Sequence, residues 1–212
     1  MLTLYAVPVS LYCAKLRIVL RAKGLVWDEV PPTGGYGSDA WHRLVPSGNL
    51  PVLCHDDLMI ADSEAAAEYL EEVFPEPPLL SGLATDRARM RERGRFHDTR
   101  LEPELRRLFA HIRPAQRDPA LVAVQAAALQ QRLDQLGRML DKGPPLAFGL
   151  GDCGLAITAM WLDQLDKPLG LGLHMPAPVQ DWRSRIWAEP AVAAECGSYG
   201  PVLADWLGGA LR

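Results

Sequence analysis

A run of prolines near residue 75 divides the chain into two stretches of different character. Pro75, Pro77 and Pro78 end a helical pattern, because proline lacks a backbone N–H and its ring clashes with the preceding helical turn. Before this point, short runs of β-type residues alternate with helical patterns. After it, only helical patterns occur. We therefore predict a mixed α/β unit over residues 1–78 and, after a short linker, an all-helical unit over residues 84–212.

The first unit combines four strand patterns with three helical patterns. Strands are predicted at residues 2–7, 25–30, 52–54 and 58–61, and helices at 13–23, at 39–44 and from Ser63 onwards. The order β-α-β-α-β-β-α is that of a thioredoxin-like domain. A right-handed β-α-β crossover makes its first two strands parallel. The sequence therefore predicts an α/β thioredoxin-like fold for the N-terminal part.

The second unit has the apolar periodicity of several helices, with no strand pattern and no internal repeat. Helical patterns cover residues 85–112, 121–140, 150–165, 179–186 and 191–196. The segment from Leu150 to Leu165 is apolar almost all round, which indicates a central and buried helix. The C-terminal part is therefore predicted to be an all-α domain.

Composition and charge argue against several classes of protein. The net charge of -4 argues against a nucleic-acid binder. No apolar run is long enough to cross a membrane, and the first residues lack a cationic leader. The four cysteines lie far apart, without the spacing of a disulfide framework or a metal site. These features predict a cytoplasmic protein with reduced thiols, no bound metal, and no nucleic-acid or membrane partner.

The most informative stretch runs from Gly48 to Ser63. Leu50-Pro51-Val52-Leu53 leads into the third strand, and Asp62-Ser63 stands between the fourth strand and an alanine-rich helix, with Ser63 as the predicted N-cap. The start of that helix presents free N–H groups and the positive end of the helix dipole, so it suits a carboxylate. Taken alone, the stretch is equally consistent with an ordinary β-hairpin that leads into a capped helix.

The same residues resemble the glutathione-binding half of the glutathione transferase family. The match consists of Leu50-Pro51-Val52-Leu53 followed, eleven residues after the proline, by Asp62-Ser63. The resemblance implies a cis Leu50–Pro51 bond and a Leu50 backbone that pairs with the cysteinyl part of glutathione. It also implies that Asp62 and Ser63 hold the γ-glutamyl end and that Asn49 contacts the glycyl end.

The resemblance extends into the helical part of the chain. Gly149-Leu150-Gly151-Asp152 falls where the family carries a Ser/Thr-x-x-Asp capping box at the head of its buried helix. Asp152 keeps the acidic position, and Gly149 replaces the hydroxyl, which is a tolerable substitution at an N-cap. The implied architecture is the glutathione transferase fold. The resemblance also implies a homodimer in which the helices starting at Ser63 and Thr85 meet their mates.

Ser10-Leu11-Tyr12-Cys13 lies between the first strand and the first helix, where thioredoxin-like proteins usually carry a Cys-x-x-Cys motif. A hydroxyl in place of the first cysteine argues against dithiol–disulfide exchange. The placement resembles the serine-type transferases, such as the zeta and tau classes, in which the serine faces the glutathione sulfur. Ser10 is therefore the predicted catalytic residue, with a simple helix cap as the alternative. Cys13 is either a second nucleophile or, more in keeping with its position, a small packed residue.

Four further residues are candidates for the second-substrate pocket or for contact with a partner subunit. They are Tyr12, which follows Ser10, and the polar cluster His97, Asp98 and Arg100 in the first long helix of the C-terminal part. A solvated helix face is an equally good interpretation of the cluster.

The predicted function is that of a glutathione transferase active in detoxification. Ser10 stabilises the thiolate of glutathione, the co-substrate, which is conjugated to a small hydrophobic electrophile; no permanently bound cofactor is expected. Two alternatives stay open: a glutathione-dependent isomerase of the maleylacetoacetate type, and a non-catalytic module that binds a partner protein. Such isomerases usually show a Ser-Ser-Cys run, which Ser10-Leu11-Tyr12 lacks.

Overall fold

The computed structural model describes all 212 residues as one small sheet followed by a set of helices. The strands are β1 (Leu2–Tyr5), β2 (Asp28–Val30), β3 (Val52–His55) and β4 (Leu58–Ile60). The α-helices are α1 (Leu11–Ala22), α2 (Asp39–Leu44), α3 (Ser63–Val73), α4 (Ala84–Phe96), α5 (Glu102–Arg107), α6 (Pro119–Leu140), α7 (Leu150–Leu169), α8 (Ala177–Trp187) and α9 (Pro190–Ala210). A π-helical turn (His97–Leu101) joins α4 to α5, and 3₁₀ turns cover Leu108–His111 and Pro114–Gln116. The predicted thioredoxin-like part followed by an all-helical part is confirmed.

The sheet has the strand order β2-β1-β3-β4. β1 and β2 are parallel, as the β-α-β crossover predicts, whereas β3 is antiparallel to both β1 and β4. Tyr5 lies opposite Val52, and Leu53 lies opposite Ile60. The C-terminal ends of β1 and β4 and the N-terminal end of β3 therefore lie at the same end of the sheet, which is called the sheet edge below.

Several predicted elements have different bounds in the structure, and the helix predicted at 85–112 is divided into α4, the π-helical turn, α5 and a 3₁₀ turn. Two of the other differences have a clear local cause. The strand predicted at 25–30 begins only at Asp28, because Leu25 still belongs to the end of α1: its N–H donates to Leu20 O at 3.0 Å across Gly24, which has a φ of +64°. The helix predicted at 191–196 continues to Ala210 despite Pro201 and four glycines, which individually disfavour a helix. Tyr199, Leu203 and Leu207 are buried along it, and this apolar face sustains the helix.

The predicted central helix is the one that the structure buries most completely. All ten residues of α7 from Leu150 to Ala159 are buried. Asp152 accepts hydrogen bonds from Gly149 N–H (3.0 Å), Arg93 Nη2 (2.9 Å) and Trp182 Nε1 (2.7 Å). The acidic half of the capping box is therefore present, and it also joins α7 to α4 and α8.

Glycine is needed at position 149 for a reason other than helix capping. The carbonyl oxygen of Leu79 accepts the N–H of Leu150 at 3.0 Å, so the linker backbone lies directly against the start of α7. A Cβ atom at Gly149 would come within 2.4 Å of that Leu79 oxygen. Glycine is therefore required here by the close approach of two backbones.

One hydrophobic core runs through both parts of the chain, from β1 and α1 to α6, α7 and α9. The boundary predicted between residues 78 and 84 separates the mixed α/β part from the all-helical part, but the hydrophobic core continues across it. No helix of the chain combines the length and the apolar character needed to cross a membrane.

We expect Gly149→Ala to lower the free energy of unfolding by about 1–3 kcal/mol, because the added methyl group overpacks the Leu79 contact. Gly197→Ala is the matched control. Gly197 lies in α9, and a Cβ atom added there would have no other atom within 4 Å, so alanine should raise the free energy of unfolding by roughly 0.5–1 kcal/mol. Urea unfolding of both variants tests the close approach; equal effects at the two positions would contradict it.

Candidate functional site

The sheet brings the predicted site residues to one edge. Ser10 follows β1, the Leu50–Pro51 pair precedes β3, and the Asp62–Ser63 pair follows β4. Because of the strand register, these three segments emerge at the same end of the sheet. The edge therefore collects residues that are as much as 53 positions apart in the sequence.

Ser10 is the N-cap of α1. Its Oγ accepts the N–H of Cys13 at 3.3 Å, and its side chain is half-buried. Ser10 is therefore a helix cap, as the alternative interpretation predicts, but the cap uses only one lone pair of its Oγ atom. The Ser10 hydroxyl proton has no acceptor within the protein, so it remains free to donate to a group placed at the start of α1.

Cys13 is a core residue. Its side chain is completely buried, and burial raises the pKa of its thiol above the ordinary value. A neutral, enclosed thiol is a poor nucleophile. The structure therefore favours packing over catalysis for Cys13.

The segment before β3 has an unused peptide group. The Leu50–Pro51 bond is cis, as predicted. Neither the N–H nor the C=O of Leu50 is hydrogen-bonded within the protein, and Leu50 is only half-buried. Asn49 beside it is exposed, with its N–H donating to Ser47 Oγ at 3.3 Å. An extended peptide could pair with the Leu50 backbone as it would with a strand edge.

The prediction that Ser63 caps α3 is wrong, because Asp62 is the N-cap. Asp62 Oδ1 accepts the N–H groups of Glu64 (3.0 Å) and Ala65 (2.8 Å). Aspartate is as good a cap as serine, and its longer side chain reaches two donors from one position earlier. Asp62 is exposed and its Oδ2 has no partner, while Ser63, the first residue of α3, is buried. One carboxylate oxygen therefore stays available to a ligand.

A buried ionic network lies behind this edge, and sequence reasoning missed its centre, Lys15. The Lys15 side chain is 1% exposed, and its Nζ contacts Glu64 Oε2 at 2.6 Å and Asp98 Oδ2 at 2.8 Å. Glu64 belongs to the first turn of α3, next to Asp62 and Ser63. One signal was present: Lys15 lies one helical turn before Val19, so a cation stands on the apolar face of α1.

The polar cluster around His97 is enclosed. His97 is 1% exposed and its ring nitrogens contact Asp98 Oδ1 and Thr158 Oγ1, both at 2.7 Å. A Cβ on Gly154 of α7 would come within 2.5 Å of the His97 ring, so this glycine makes room for it. The solvated-face interpretation therefore fails for His97 and Asp98, whereas Arg100 is exposed and has no partner.

Tyr12 connects the start of α1 to an aromatic cavity. Its hydroxyl donates to Glu102 at 3.0 Å, and the guanidinium of Arg106 lies 5.7 Å from the Tyr12 ring and 5.6 Å from the Phe109 ring. Phe109 stacks on Trp161 with ring centroids 4.7 Å apart. A cavity of about 330 Å³ opens beside these rings, lined by Phe109, Ile112, Arg113, Gln116, Trp206, Gly209 and Ala210.

Comparison with known proteins agrees with this geometry. Residues 4–78 match the family model described as "Glutathione S-transferase, N-terminal domain". A probable glutathione transferase from Aplysia californica is 39% identical over 80 residues, which cover 38% of this chain and 87% of that protein.

The chain belongs to the glutathione transferase superfamily. A stringent starvation protein A homolog from Coxiella burnetii is 35% identical over 109 residues, covering 49% of this chain and 52% of that protein. The chain spans about half or less of the length of the curated relatives of that name. The crystal structure of glutathione transferase F7 from Populus trichocarpa has the same fold, with a TM-score of 0.80, 20% identity, and coverage of 94% of this chain and 99% of that one.

We expect the Lys15 network to make stability depend on pH through Asp98. Burial alone would raise the pKa of Asp98, but the hydrogen bond from His97 and the charge of Lys15 lower it to about 2, below its ordinary value of 3.8. Asp98 therefore stabilises the fold above pH 4, and this contribution is lost as the pH falls towards 2. About 1 kcal/mol should disappear between pH 5 and pH 3.

Urea unfolding at a series of pH values tests this dependence. Asp98→Asn should unfold more easily than the wild type at neutral pH, with a pH dependence flatter by about 1 kcal/mol between pH 5 and pH 3. Asp57→Asn, on the exposed β3–β4 turn, serves as the control and should follow the wild type. Identical slopes for the two variants would show that Asp98 does not carry the dependence.

Proposed function

We propose that this protein is a serine-type glutathione transferase that binds glutathione at the shared edge of the sheet. One observation carries the proposal: three sets of unused hydrogen-bonding groups converge there. They are the Ser10 hydroxyl proton, the peptide N–H and C=O of Leu50, and the free oxygen of Asp62. A γ-glutamyl tripeptide offers a matching group to each of them, namely a thiol, a peptide backbone and an ammonium.

Each residue has a distinct role in this proposal. The Leu50 backbone pairs with the cysteinyl residue, and Asn49 lies at the glycyl end. Asp62 Oδ2 accepts from the γ-glutamyl ammonium, while the N–H of Ser63, the only one in the first turn of α3 without a partner, donates to the γ-glutamyl carboxylate. The thiol then lies at the start of α1, near Ser10.

Ser10 would raise the fraction of ionised sulfur. A thiol with a pKa near 8.5 is only a few per cent ionised at pH 7. A hydrogen bond to the thiolate stabilises it by roughly 1.5–3 kcal/mol, and each 1.36 kcal/mol lowers the pKa by about one unit. A shift of about one to two units ionises roughly a quarter to three quarters of the sulfur at pH 7. The α1 dipole acts in the same direction, by about 0.3–1 kcal/mol.

The aromatic cavity supports a hydrophobic electrophile as the second substrate. Side-chain contacts connect the start of α1 to the wall of this cavity, because the guanidinium of Arg106 lies next to the rings of both Tyr12 and Phe109. Hydrogen bonds provide a second connection. The hydroxyl of Tyr199 donates to the carbonyl of Val9 at 2.7 Å and accepts from Nε1 of Trp161. In the reaction the thiolate sulfur forms a bond to an electrophilic carbon. In a substitution the negative charge departs with the leaving group, and in an addition it moves onto the electrophile with the displaced electron pair.

The remaining parts of the proposal rest on the resemblance to the family. They are a homodimer, a cytoplasmic location, a role in detoxification, and glutathione as a co-substrate without a permanently bound cofactor.

A non-catalytic module is the second candidate, and one finding favours it. The relatives named for stringent starvation, rather than for transferase activity, match 37–49% of this chain. A protein of this kind would retain the fold without needing the hydroxyl of Ser10. Measuring activity in the Ser10 variant therefore separates the two candidates.

We expect Ser10→Ala to lower turnover at pH 7 by roughly ten- to thirtyfold, in proportion to the lost thiolate. The loss should shrink above pH 9, where the sulfur ionises without help. Glutathione affinity, measured by calorimetry, should change little because other residues hold the peptide. Steady-state rates with a chromogenic electrophile across pH 6–10 provide the measurement.

Cys13→Ala is the companion variant, and its turnover should match that of the wild type. If Cys13→Ala abolishes activity while Ser10→Ala retains it, the role proposed for Ser10 is wrong and Cys13 is the catalytic residue. A wild type that binds no glutathione would leave only the module candidate.

We expect Asp62→Asn to weaken glutathione binding by roughly ten- to a hundredfold, because a hydrogen bond to a charged group is worth about 1.5–3 kcal/mol. Asparagine caps helices as well as aspartate does, so stability should hardly change. Asp118→Asn is the matched control, since Asp118 caps α6 with the same geometry, accepting from Ala120 at 2.9 Å and Leu121 at 3.2 Å. Calorimetry that finds equal affinities in both variants would remove Asp62 from the site.

A further inference from the structure

A second cleft lies in the helical part, between α4, the end of α6, the loop that follows it, and α8. Its volume is about 240 Å³, and all of its lining residues come from position 89 or later. None of these residues belongs to the sheet edge or lines the aromatic cavity described above.

Cations dominate the lining of this cleft. Arg89, Arg93, Lys142 and Arg185 contribute four positive charges, and Glu92 is the single acidic residue among the lining residues. Two of the guanidinium groups have acidic partners outside the cleft: Arg93 pairs with Asp152 at 2.9 Å, and Arg89 lies 4.0 Å from Asp86. Lys142 and Arg185 form no ion pair. The cleft therefore retains a net positive charge.

Arg93 is buried, and one of its donors is unused. Only 6% of Arg93 is exposed, and its Nη2 donates to Asp152. Asp152 is shared with Trp182 and with the Gly149 amide, so it cannot serve every donor of the guanidinium. The Nε–H of Arg93 has no partner. A buried N–H of this kind requires an acceptor, and an oxyanion in the cleft would supply one.

The rest of the lining is shaped for an anion that carries an apolar group. Arg89 is held in place by hydrogen bonds to the carbonyl oxygens of Pro144 and Lys142, which orient it without removing its charge. Met139, Leu140 and Leu146 are the apolar residues of the lining. A small inorganic ion would use only the charged residues of such a cleft.

We propose that this cleft binds a small organic phosphate monoester. The phosphoryl oxygens accept from Arg93 Nε and from the side chains of Lys142 and Arg185, since guanidinium and ammonium groups both recognise phosphate. The organic group packs on Met139, Leu140 and Leu146. The site is independent of glutathione binding.

Calorimetric titration of the whole 212-residue chain with phenyl phosphate at low ionic strength tests the proposal. We expect one molecule to bind, more tightly than inorganic phosphate, and with the same affinity when glutathione is present. The double variant Lys142→Gln/Arg185→Gln should bind at least tenfold more weakly. Arg138→Gln removes an exposed charge from the same end of α6 without touching the cleft, so this control should bind as the wild type does.

Arg93→Lys probes the buried donor itself, because lysine keeps a positive charge opposite Asp152 but lacks the Nε–H. It should also bind phenyl phosphate more weakly; if it does not fold, the double variant still decides the question. The proposal is overturned if the double variant and Arg138→Gln bind alike, if inorganic phosphate binds as tightly as phenyl phosphate, or if glutathione displaces the ligand.

Discussion

A buried ammonium group holds the two parts of this molecule together. Removing a lysine charge from water is costly, and Lys15 is tolerated in the interior because Glu64 and Asp98 both contact its Nζ. One carboxylate comes from α3 in the sheet part, and the other from the π-helical turn in the helical part. The contact therefore sets α1 against α3, and with it Ser10 against Asp62. The alignment of the candidate site depends on charge as well as on apolar packing.

The other face of α1 is secured in a similar way. Arg17 contacts Glu29 at 2.8 Å and Glu195 of α9 at 3.2 Å, 12 and 178 positions away in the sequence. Tyr199, also on α9, donates to the carbonyl of Val9 in the loop that precedes Ser10. The loop is thus held from behind by the last helix. Preorganisation of this kind suits the role proposed for Ser10 as a hydrogen-bond donor to a ligand sulfur.

Much of the fold and part of the candidate site could be predicted from the sequence, for physical reasons. The order of elements follows from apolar periodicity, and the candidates Ser10, Leu50 and Asp62 follow from short motifs whose local geometry the sheet preserves. Lys15 could not be paired with its partners, because they lie 49 and 83 residues away and no local pattern encodes such distances. The need for glycine at position 149 was equally hidden, since it arises from the Leu79 carbonyl across the core.

The end of α9 bears on how a ligand would reach the aromatic cavity. Trp206, Gly209 and Ala210 form one wall of that cavity, and Gly208 and Gly209 are adjacent in the last turns of the helix. Each glycine weakens a helix by up to about 1 kcal/mol relative to alanine, and beyond Leu207 no side chain of α9 is fully buried. Local unwinding there costs far less than global unfolding. The wall of the cavity therefore includes the segment of α9 with the fewest buried side chains, where the helix is easiest to unwind.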